Sequence, residues 1–288
     1  MAVRKILVPL SGAETEAAVL GTAMTVAKTF NAQLVGLFVR PDPTEALPYL
    51  GDGVSGQVIE QLMQAAKSGS DQASDKARTM FTDAASKAGL PMAPKAAGNT
   101  PLPSVRFLDV AGHRDDVVAA HSRLSDIVVF GEGNAGAAGG STLEAAMMSA
   151  GRPVLIAPKA CAIHVGGTVA IGWDGSPMAA HAVTAAIPFL EMAKSVTILC
   201  IGNHGDEAEP GSLLADYLSL HGISAGIHTA EQAAGRSVGG ALLDQAEKLG
   251  ADLLVVGGYG HSRLREFIIG GATQHIRSHA TIPVLMAH

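Results

Sequence analysis

The segment Asp252-Leu-Leu-Val-Val-Gly-Gly-Tyr-Gly260 decides the fold, because it joins a buried strand to a glycine-rich loop. Its apolar run has the length and composition of a strand in a parallel sheet. After nine intervening residues, the stretch Gly270-Gly-Ala-Thr273 begins a helical segment. Glycines let backbone amides approach an anion closely, and a helix N-terminus adds partial positive charge. The spacing Gly-x₂-Gly-x₉-Gly therefore predicts a phosphate-binding loop, although it is not the Walker form.

The chain carries this organisation twice. Between matching segments the offset falls from 163 residues at the opening strand to 126 at the later strand, so the first copy has 37 extra residues. These extra residues fall in the Pro/Gly-rich stretch Pro41–Gly56 and in a long helical stretch from about Gln57 to Lys87. The matching segments are Ile6–Val19 with Val169–Val183, Asp126–Gly131 with Asp252–Gly257, and Arg152–Ala157 with Ile282–Ala287.

Each copy alternates short apolar runs with Ala-rich helical segments, which is typical of βαβ units around a parallel sheet. The predicted fold class is α/β, with two tandem doubly wound, Rossmann-like domains at residues 1–158 and 165–288. Ser176-Pro177 predicts a helix start, with a hydroxyl at the N-cap and proline at N1. In the second copy we expect strands near 168–173, 196–201, 225–229, 252–257 and 283–287, and helices near 177–193, 211–221, 238–249 and 272–279.

Composition narrows the class of protein. Hydrophobic residues make up 48% of the chain and charged residues 16%, which is typical of a globular protein with a large core. The net charge of −6, without a Lys/Arg-rich block, argues against a nucleic-acid surface. No apolar run is long enough to cross a membrane, and we interpret Ile6–Leu10 as a first core strand rather than a signal peptide. Cys161 and Cys200, expected to be small buried hydrophobes, fit a reduced cytoplasm.

The glycine loop and its surroundings resemble the tandem universal stress proteins. That family's pattern Gly-x₂-Gly-x₉-Gly-[Ser/Thr] is matched at Gly257, Gly260 and Gly270, but Gly271 stands where the hydroxyl residue is expected. Val169–Ser176 resembles the family's first strand and acidic turn, and Ile282–Met286 resembles its last strand. The resemblance covers residues 165–288 closely and residues 1–158 more loosely.

The resemblance implies an adenine-nucleotide site of the adenine nucleotide alpha hydrolase-like kind in the second copy. The ligand would be ATP, or ADP or AMP, with Mg²⁺ held mainly through the phosphates. Asp174 would contact the adenosine, Ile201 would back the adenine, and the loop glycines and following residues would hold phosphates. The implied site residues are Asp174, Gly175, Ile201, Gly257, Tyr259, Gly260, Gly270, Gly271, Ala272 and Thr273.

Parallel sheets bind ligands outside the carboxyl ends of their strands. Asp174, Ile201 and Gly257 each follow or end a predicted strand, so the topology predicts that they converge on one crevice.

By resemblance, the two domains would also pair through their last strands, Val154–Ile156 and Val284–Met286, as a pseudo-dimer within one chain. A homodimer and an unidentified protein partner remain open.

The first copy lacks the site. Ser11 stands where Asp174 stands, Asn134 replaces the second loop glycine, and Glu132 adds negative charge where phosphates would lie. We interpret this copy as degenerate and without nucleotide.

Three further patterns compete for function. Gly131-Glu-Gly-Asn-Ala-Gly136 matches a dinucleotide fingerprint, but its helix has its own capping box at Ser141-x-x-Glu144. Gly235-Arg-Ser-Val-Gly239 matches a nucleophile elbow, yet it does not follow its strand abruptly, and Ser237 suits a helix N-cap. His275 and His279 share a helix face as metal ligands can, without an evident third ligand.

Two alternatives to simple nucleotide binding remain open. In the first, both copies are structural and work by protein contacts, which Gly271 in place of Ser or Thr favours. In the second, the protein is a slow ATPase. No general base or carboxylate pair suited to phosphoryl transfer is evident in the sequence, so hydrolysis should be slow at most.

Overall fold

Two sets of five strands, each with crossover helices, make up the computed structural model of the protein. The structure describes residues 2–41, 56–93, 100–131, 139–202, 211–232, 235–258 and 271–288, with 139–141 and 271–273 described by their backbone only. The first set comprises β1 (Lys5–Leu10), α1 (Glu16–Thr29), β2 (Gln33–Arg40), α2 (Gly56–Ala88), β3 (Ser104–Ala111), α3 (Arg114–Ser122), β4 (Ile127–Gly131), α4 (Gly139–Glu144, continuing as a π-helical turn over Ala145–Ser149) and β5 (Val154–Ala157).

The second set repeats this order on a shorter chain. It comprises β6 (Thr168–Gly172), α5 (Pro177–Leu190), β7 (Ser195–Ile201), α6 (Ser212–Leu220), β8 (Ala225–Ala230), α7 (Val238–Lys248), β9 (Leu253–Gly257), α8 (Gly271–His279) and β10 (Val284–Ala287). Each predicted strand and helix of the second copy is confirmed, with ends that differ by three residues or fewer.

All ten strands belong to one sheet, in the order β3-β2-β1-β4-β5-β10-β9-β6-β7-β8. Neighbouring strands are parallel except at the centre, where β5 and β10 run antiparallel. There Leu285 lies opposite Leu155, and Met286 lies opposite Val154. The predicted pairing of the two last strands within one chain is confirmed.

Helices cover both faces of the sheet, and each face has one continuous core. The first core joins α1, α2, α5 and α6 through side chains such as Leu20, Phe81, Val183 and Leu214. The second joins α3, α4, α7 and α8 through Val118, Leu143, Leu242 and Ile276. Each core therefore spans both halves of the chain. The ring of Phe30, in the first half, contacts the ring of Phe189, in the second half, edge to face, with centroids 4.6 Å apart.

Helix α2 confirms the long helical stretch predicted in the first copy. Its 33 residues correspond to about 50 Å at 1.5 Å per residue. Its second half packs on the sheet, where a Cβ at Gly36 would lie 2.6 Å from the ring of Phe81. Its first half is mostly exposed. The extra length thus extends beyond the part of the helix that the sheet can bury.

The two cysteines differ in environment. Cys200 is buried in the first core, as expected, but Cys161 is exposed, so the expectation was wrong for Cys161. Cys161 belongs to the segment between β5 and β6, which crosses α1 where Gly21 leaves room for its sulfur. The hydroxyl of Thr22 accepts a hydrogen bond from the Ala162 amide there (3.0 Å).

Among the helices that the structure describes, none is long and apolar enough to span a membrane.

The central register can be tested by an engineered disulfide. In a Cys161→Ser, Cys200→Ala background, we expect Val154→Cys with Met286→Cys to form an intrachain disulfide under mild oxidation. Directly opposite residues of antiparallel strands have Cα atoms about 4.5–5.5 Å apart, within disulfide reach. Mass spectrometry and non-reducing gels would report the bond.

The matched control is Val154→Cys with Val256→Cys. Val256 lies opposite Met286 on the far side of β10, so it is about 9.5 Å from Val154, beyond disulfide reach. Equal oxidation of the two pairs would contradict the register.

Candidate functional site

A cleft opens at the carboxyl ends of β6, β7 and β9, on the face covered by α7 and α8. It brings together Asp174, Ile201 and Gly257, as the topology predicts. The lining residues are Gly172, Trp173, Asp174, Leu199, Ile201, Val238, Leu242, Val256, Gly257 and Ile276.

The floor of the cleft is apolar. Leu199, Val256 and Ile276 are buried beneath it, and Leu242 reaches it from α7. Gly172 permits this approach, because a Cβ there would lie 3.0–3.1 Å from Val256 and Leu242. The wall that α7 contributes was not predicted from the sequence. Its signal was the apolar pair Val238 and Leu242, four residues apart and thus on one helix face.

Asp174 is exposed at the mouth of the cleft, in the turn that joins β6 to α5. Its Oδ1 accepts a hydrogen bond from the Ser176 amide (2.9 Å), and Gly175 has the positive φ of +72° that this turn requires. Ser176 caps α5, its hydroxyl accepting from the Ala179 amide (3.1 Å), and Pro177 follows at N1, as predicted. Asp174 therefore has a turn role in addition to any ligand contact.

Gly257 also has a packing role. A Cβ at this position would lie 2.7 Å from the Ala179 nitrogen and 2.8 Å from the Met178 carbonyl carbon. At Gly258, a Cβ would lie 2.5 Å from the Met147 side chain of the first half. Both glycines let β9 end in close contact with neighbouring backbone and side chains. The first glycine of the motif is thus required by the fold itself.

Part of the predicted site lies outside the described residues, namely Tyr259, Gly260 and Gly270. Gly271, Ala272 and Thr273 form the first turn of α8, which begins at Gly271. The helix start predicted after the glycine loop is therefore confirmed within one residue.

In the first half, the turn after β1 corresponds to the turn that contains Asp174. There the buried carboxylate of Glu16 accepts hydrogen bonds from the backbone. Glu16 is 1% exposed. Its Oε1 accepts from the amide and the hydroxyl of Ser11 (both 2.7 Å), and its Oε2 accepts from the amide of Gly12 (3.1 Å). Sequence reasoning missed Glu16. Its signal was an acidic residue five positions after Ser11, at the start of a helix.

Helix α2 closes over this turn in the first half. A Cβ on Gly12 would lie 2.6 Å from the carbonyl oxygen of Ala73 in α2. Beside it, Arg40 at the end of β2 donates two hydrogen bonds to Asp109 of β3 (2.6 and 2.8 Å), which lowers the pKa of the Asp109 carboxyl. The Ser74 hydroxyl in α2 donates to the same carboxylate (2.5 Å). The carboxyl edge of β1 to β3 is thus occupied by the protein's own groups.

The elbow-like pattern around Ser237 and the dinucleotide-like pattern that begins at Gly131 were the other candidates from the sequence. The Ser237 hydroxyl accepts from the Gly240 amide (3.1 Å), which makes Ser237 the N-cap of α7, as interpreted from the sequence. Glu132, Asn134 and Gly136 lie outside the described residues. Ser141 lies inside α4, which begins at Gly139, so the predicted N-cap at Ser141 was wrong and the helix begins three residues earlier than that cap implies.

His275 and His279 do share a face of α8, and their rings stack with centroids 4.2 Å apart. Burial, the neighbouring His279 and then Arg236 lower the pKa of His275. No group of three or more His, Cys, Asp or Glu side chains suited to a metal occurs in the part of the chain that the structure describes.

Comparison with known proteins agrees with this architecture. Residues 167–288, which contain β6 to β10, match the model of the Universal stress protein family. No curated protein matches the chain. Among solved structures, a universal stress protein from Archaeoglobus fulgidus DSM 4304 is 17% identical, with a TM-score of 0.70, over 98% of this chain and 97% of that one.

Two structures from Pseudomonas aeruginosa are also similar along the whole chain. One is a putative universal stress protein from strain UCBPP-PA14 (16% identity, TM-score 0.57, 99% and 93% of the two chains). The other is a functionally unknown protein from strain PAO1 (15% identity, TM-score 0.54, 99% and 92%). At these identities the likeness shows the fold, which is two tandem Rossmann-like units.

The role of Glu16 gives a stability prediction. Replacing Glu16 with alanine should lower the free energy of unfolding by about 1–3 kcal/mol, because it leaves buried amide donors without an acceptor. Urea unfolding would measure the change.

The control is Glu14→Ala in the same turn. Glu14 has a side chain 88% exposed, paired with Lys76 at the surface, so its loss should change stability by no more than about 0.5 kcal/mol. Equal losses for the two variants would refute the account of the first-half turn.

Proposed function

We propose that residues 165–288 form a domain that binds an adenine nucleotide, ATP or else ADP or AMP, in the cleft at the ends of β6, β7 and β9. Residues 1–158 would form a degenerate copy without nucleotide. The observation that carries the proposal is an apolar cleft at the carboxyl ends of parallel strands, lined by Ile276 of α8 and by Gly257, the first glycine of the motif. This is where open α/β sheets bind ligands.

The apolar floor suits a flat base. Ile201 and Leu242 face the cleft from β7 and α7, and burying a purine between them would remove apolar surface of both partners from water. Asp174 at the mouth would accept hydrogen bonds from ribose hydroxyls or the adenine amine, since a carboxylate is a strong acceptor.

The phosphate end of the ligand would lie along Gly257, Tyr259, Gly260 and the residues from Gly270 to Thr273. Their amides and the N-terminus of α8 would meet phosphate oxygens. Mg²⁺ would be held mainly by the phosphates themselves. The absence of a Ser or Thr at Gly271 removes one hydroxyl donor, which should weaken affinity without removing the amide contacts.

The match of residues 167–288 to the Universal stress protein family supports a role as a nucleotide-responsive stress factor. The two alternatives are a structural module that acts through protein contacts, and a slow ATPase. Nucleotide that remains bound through purification would argue against the first. Phosphate release by the purified protein would support the second.

The proposal predicts one nucleotide per chain. Calorimetric titration with ATP, ADP and AMP should give a single site, and binding should change the fluorescence of Trp173, which lines the cleft and is the only tryptophan. Two equivalent sites would contradict the assignment of the first copy as degenerate. If the titration gives no heat of binding and the fluorescence of Trp173 does not change, the nucleotide proposal fails and the structural module is the remaining alternative.

Variants of the loop test its contact with phosphate. Gly260→Val and Gly270→Val should abolish binding while the protein stays folded, because a side chain would occupy the space where amides meet phosphate. Unchanged affinity in folded variants would refute the loop assignment.

Asp174 variants separate ligand contact from the turn role. Asp174→Ala should weaken nucleotide binding by about ten- to a hundredfold, equivalent to a charge-assisted hydrogen bond of roughly 1.5–3 kcal/mol. Asp174→Asn keeps an acceptor for the Ser176 amide but removes the charge, so it should weaken binding and preserve stability. Calorimetry and urea unfolding would measure the two effects separately.

Ser11→Ala, the matched change in the first half, should leave nucleotide binding unchanged. If Asp174→Ala lowers stability but not affinity, Asp174 is a turn residue only. If Ser11→Ala weakens binding as much as Asp174→Ala does, the asymmetry between the halves is wrong.

A further inference from the structure

A cluster of basic side chains lies in the first half, at the amino ends of the strands. Lys5 opens β1, Arg106 is near the start of β3, and His121 is near the end of α3. Along a strand alternate residues share a face. Lys5 shares its face with Leu7, and Arg106 shares its face with Leu108. Leu7 and Leu108 both pack in the core beneath α3, so the two cations lie on the face that α3 covers.

The strand register places Lys5 and Arg106 near the same edge of the sheet. Lys5 lies opposite Gln33, Gln33 lies opposite Ser104, and Arg106 is two positions further along β3. Lys5 and Arg106 are therefore separated by one intervening strand. Gln33 is buried on that intervening strand, and its amide donates to the hydroxyl of the buried Ser104 at 3.5 Å.

Two buried polar atoms in β3 and α3 have no hydrogen-bond partner among the described residues. One is Nε of Arg106, and the other is the hydroxyl of Ser122, next to His121 in the chain. A buried donor without an acceptor costs about 1–3 kcal/mol, and such groups in native proteins commonly contact water or an ion. An acceptor that reached Nε of Arg106 would therefore be favourable.

Positive charge in the cluster exceeds the negative charge that faces it. Burial, and then Arg106, lower the pKa of the Lys5 ammonium, and Asp126 opposes them. Burial, Lys5 and Arg106 lower the pKa of His121. Asp126 uses its Oδ2 to accept from the amides of Arg4 (2.8 Å) and Lys5 (2.9 Å).

The second half has the same aspartate without the cations. Asp252 accepts from the amides of Gly166, Gly167 and Thr168 (2.9–3.1 Å), as Asp126 does at the start of β1. Thr168 stands where Lys5 stands, and β8 contains no lysine or arginine. The basic cluster is therefore not part of the shared fold, and it belongs to the half that lacks the glycine loop.

We propose that Lys5, Arg106 and His121 bind a phosphate group, either inorganic phosphate or a small phosphate monoester, between β1, β3 and α3. Arginine presents a planar fork that matches phosphate oxygens, and lysine adds a point charge. Protonated His121 donates from both ring nitrogens, and a bound dianion favours that form. The site lies at the opposite edge of the strands from the carboxyl ends, in the other half of the sheet from the nucleotide cleft, and does not depend on the proposed function.

The test uses the histidine as reporter. NMR pH titrations of the full chain would be run in chloride and in inorganic phosphate at equal ionic strength, with His121→Gln to assign the His121 signal. Phosphate should raise the pKa of His121 saturably beyond the effect of chloride, because a bound anion stabilises the imidazolium. Comparison with glycerol phosphate shows whether the site takes a monoester or only the inorganic ion.

Variants decide whether the cluster is responsible. Arg106→Gln and Lys5→Gln should each weaken the phosphate response by about tenfold or more, and each should raise the pKa of His121 in chloride by removing a like charge. Arg4→Gln, at an exposed arginine whose side chain donates to the Asn31 carbonyl, should change neither. Circular dichroism and urea unfolding would verify folding, and Lys5→Gln serves if Arg106→Gln does not fold.

The proposal is overturned if phosphate acts no differently from chloride on His121. It is also overturned if a folded Arg106→Gln or Lys5→Gln variant responds as the parent protein does. Trp173 fluorescence with ATP is measured in parallel, so failure of the phosphate site and failure of the nucleotide site give different results.

Discussion

The antiparallel pairing of β5 with β10 is the interaction on which the rest of the structure depends. Each half ends in a strand that is buried on both faces, and such a strand must find a partner because its amides and carbonyls cannot be left unpaired in the core. Val154, Leu155 and Ile156 meet Met286, Leu285 and Val284 there, and all six are at most 3% exposed. The pairing turns two five-stranded sheets into one sheet with two continuous cores. Because it is antiparallel, the carboxyl ends of the two sets of strands point in opposite directions, and each half has its own edge on which a site could form.

The two halves differ in which groups lie at the carboxyl ends of their strands. In the second half the turn after β6 is closed by Asp174 and Ser176, which are local to the turn, and the floor beside it remains open and apolar. In the first half Glu16 reaches back from α1 and binds the turn from inside. Helix α2 then packs over the same turn, and the ion pair of Arg40 with Asp109 fills the neighbouring strand ends. One half thus has an open cleft at the carboxyl ends of its strands, whereas in the other half Glu16 and Asp109 occupy the corresponding edge.

Sequence patterns predicted the elements whose causes are local. The N-caps Ser176 and Ser237, the helix start at Pro177 and the strands of the second half follow from hydroxyl, proline and apolar patterns that act within a few residues. Features that depend on tertiary contacts were missed. Glu16 looks like an ordinary acidic residue at a helix start, and the turn that it binds is covered by α2, which is distant in the sequence. Cys161 was expected to be buried because of its residue type, but it lies in the connection between the halves, whose course no local pattern specifies. The packing role of Gly257 against α5 was likewise missed, because the same glycine belongs to a motif that predicts phosphate binding.

Hydrogen exchange of backbone amides in the presence and absence of saturating ATP tests the central claim most directly, because it reports both halves of one chain in one experiment. The account predicts that ATP slows exchange at 172–176, at the end of β7 and from Gly257 to Thr273, and leaves the turn at 10–16 and the strand end at Gly131 unchanged. Equal protection of the two halves, or no protection in the second half under conditions where ATP is bound, would contradict it.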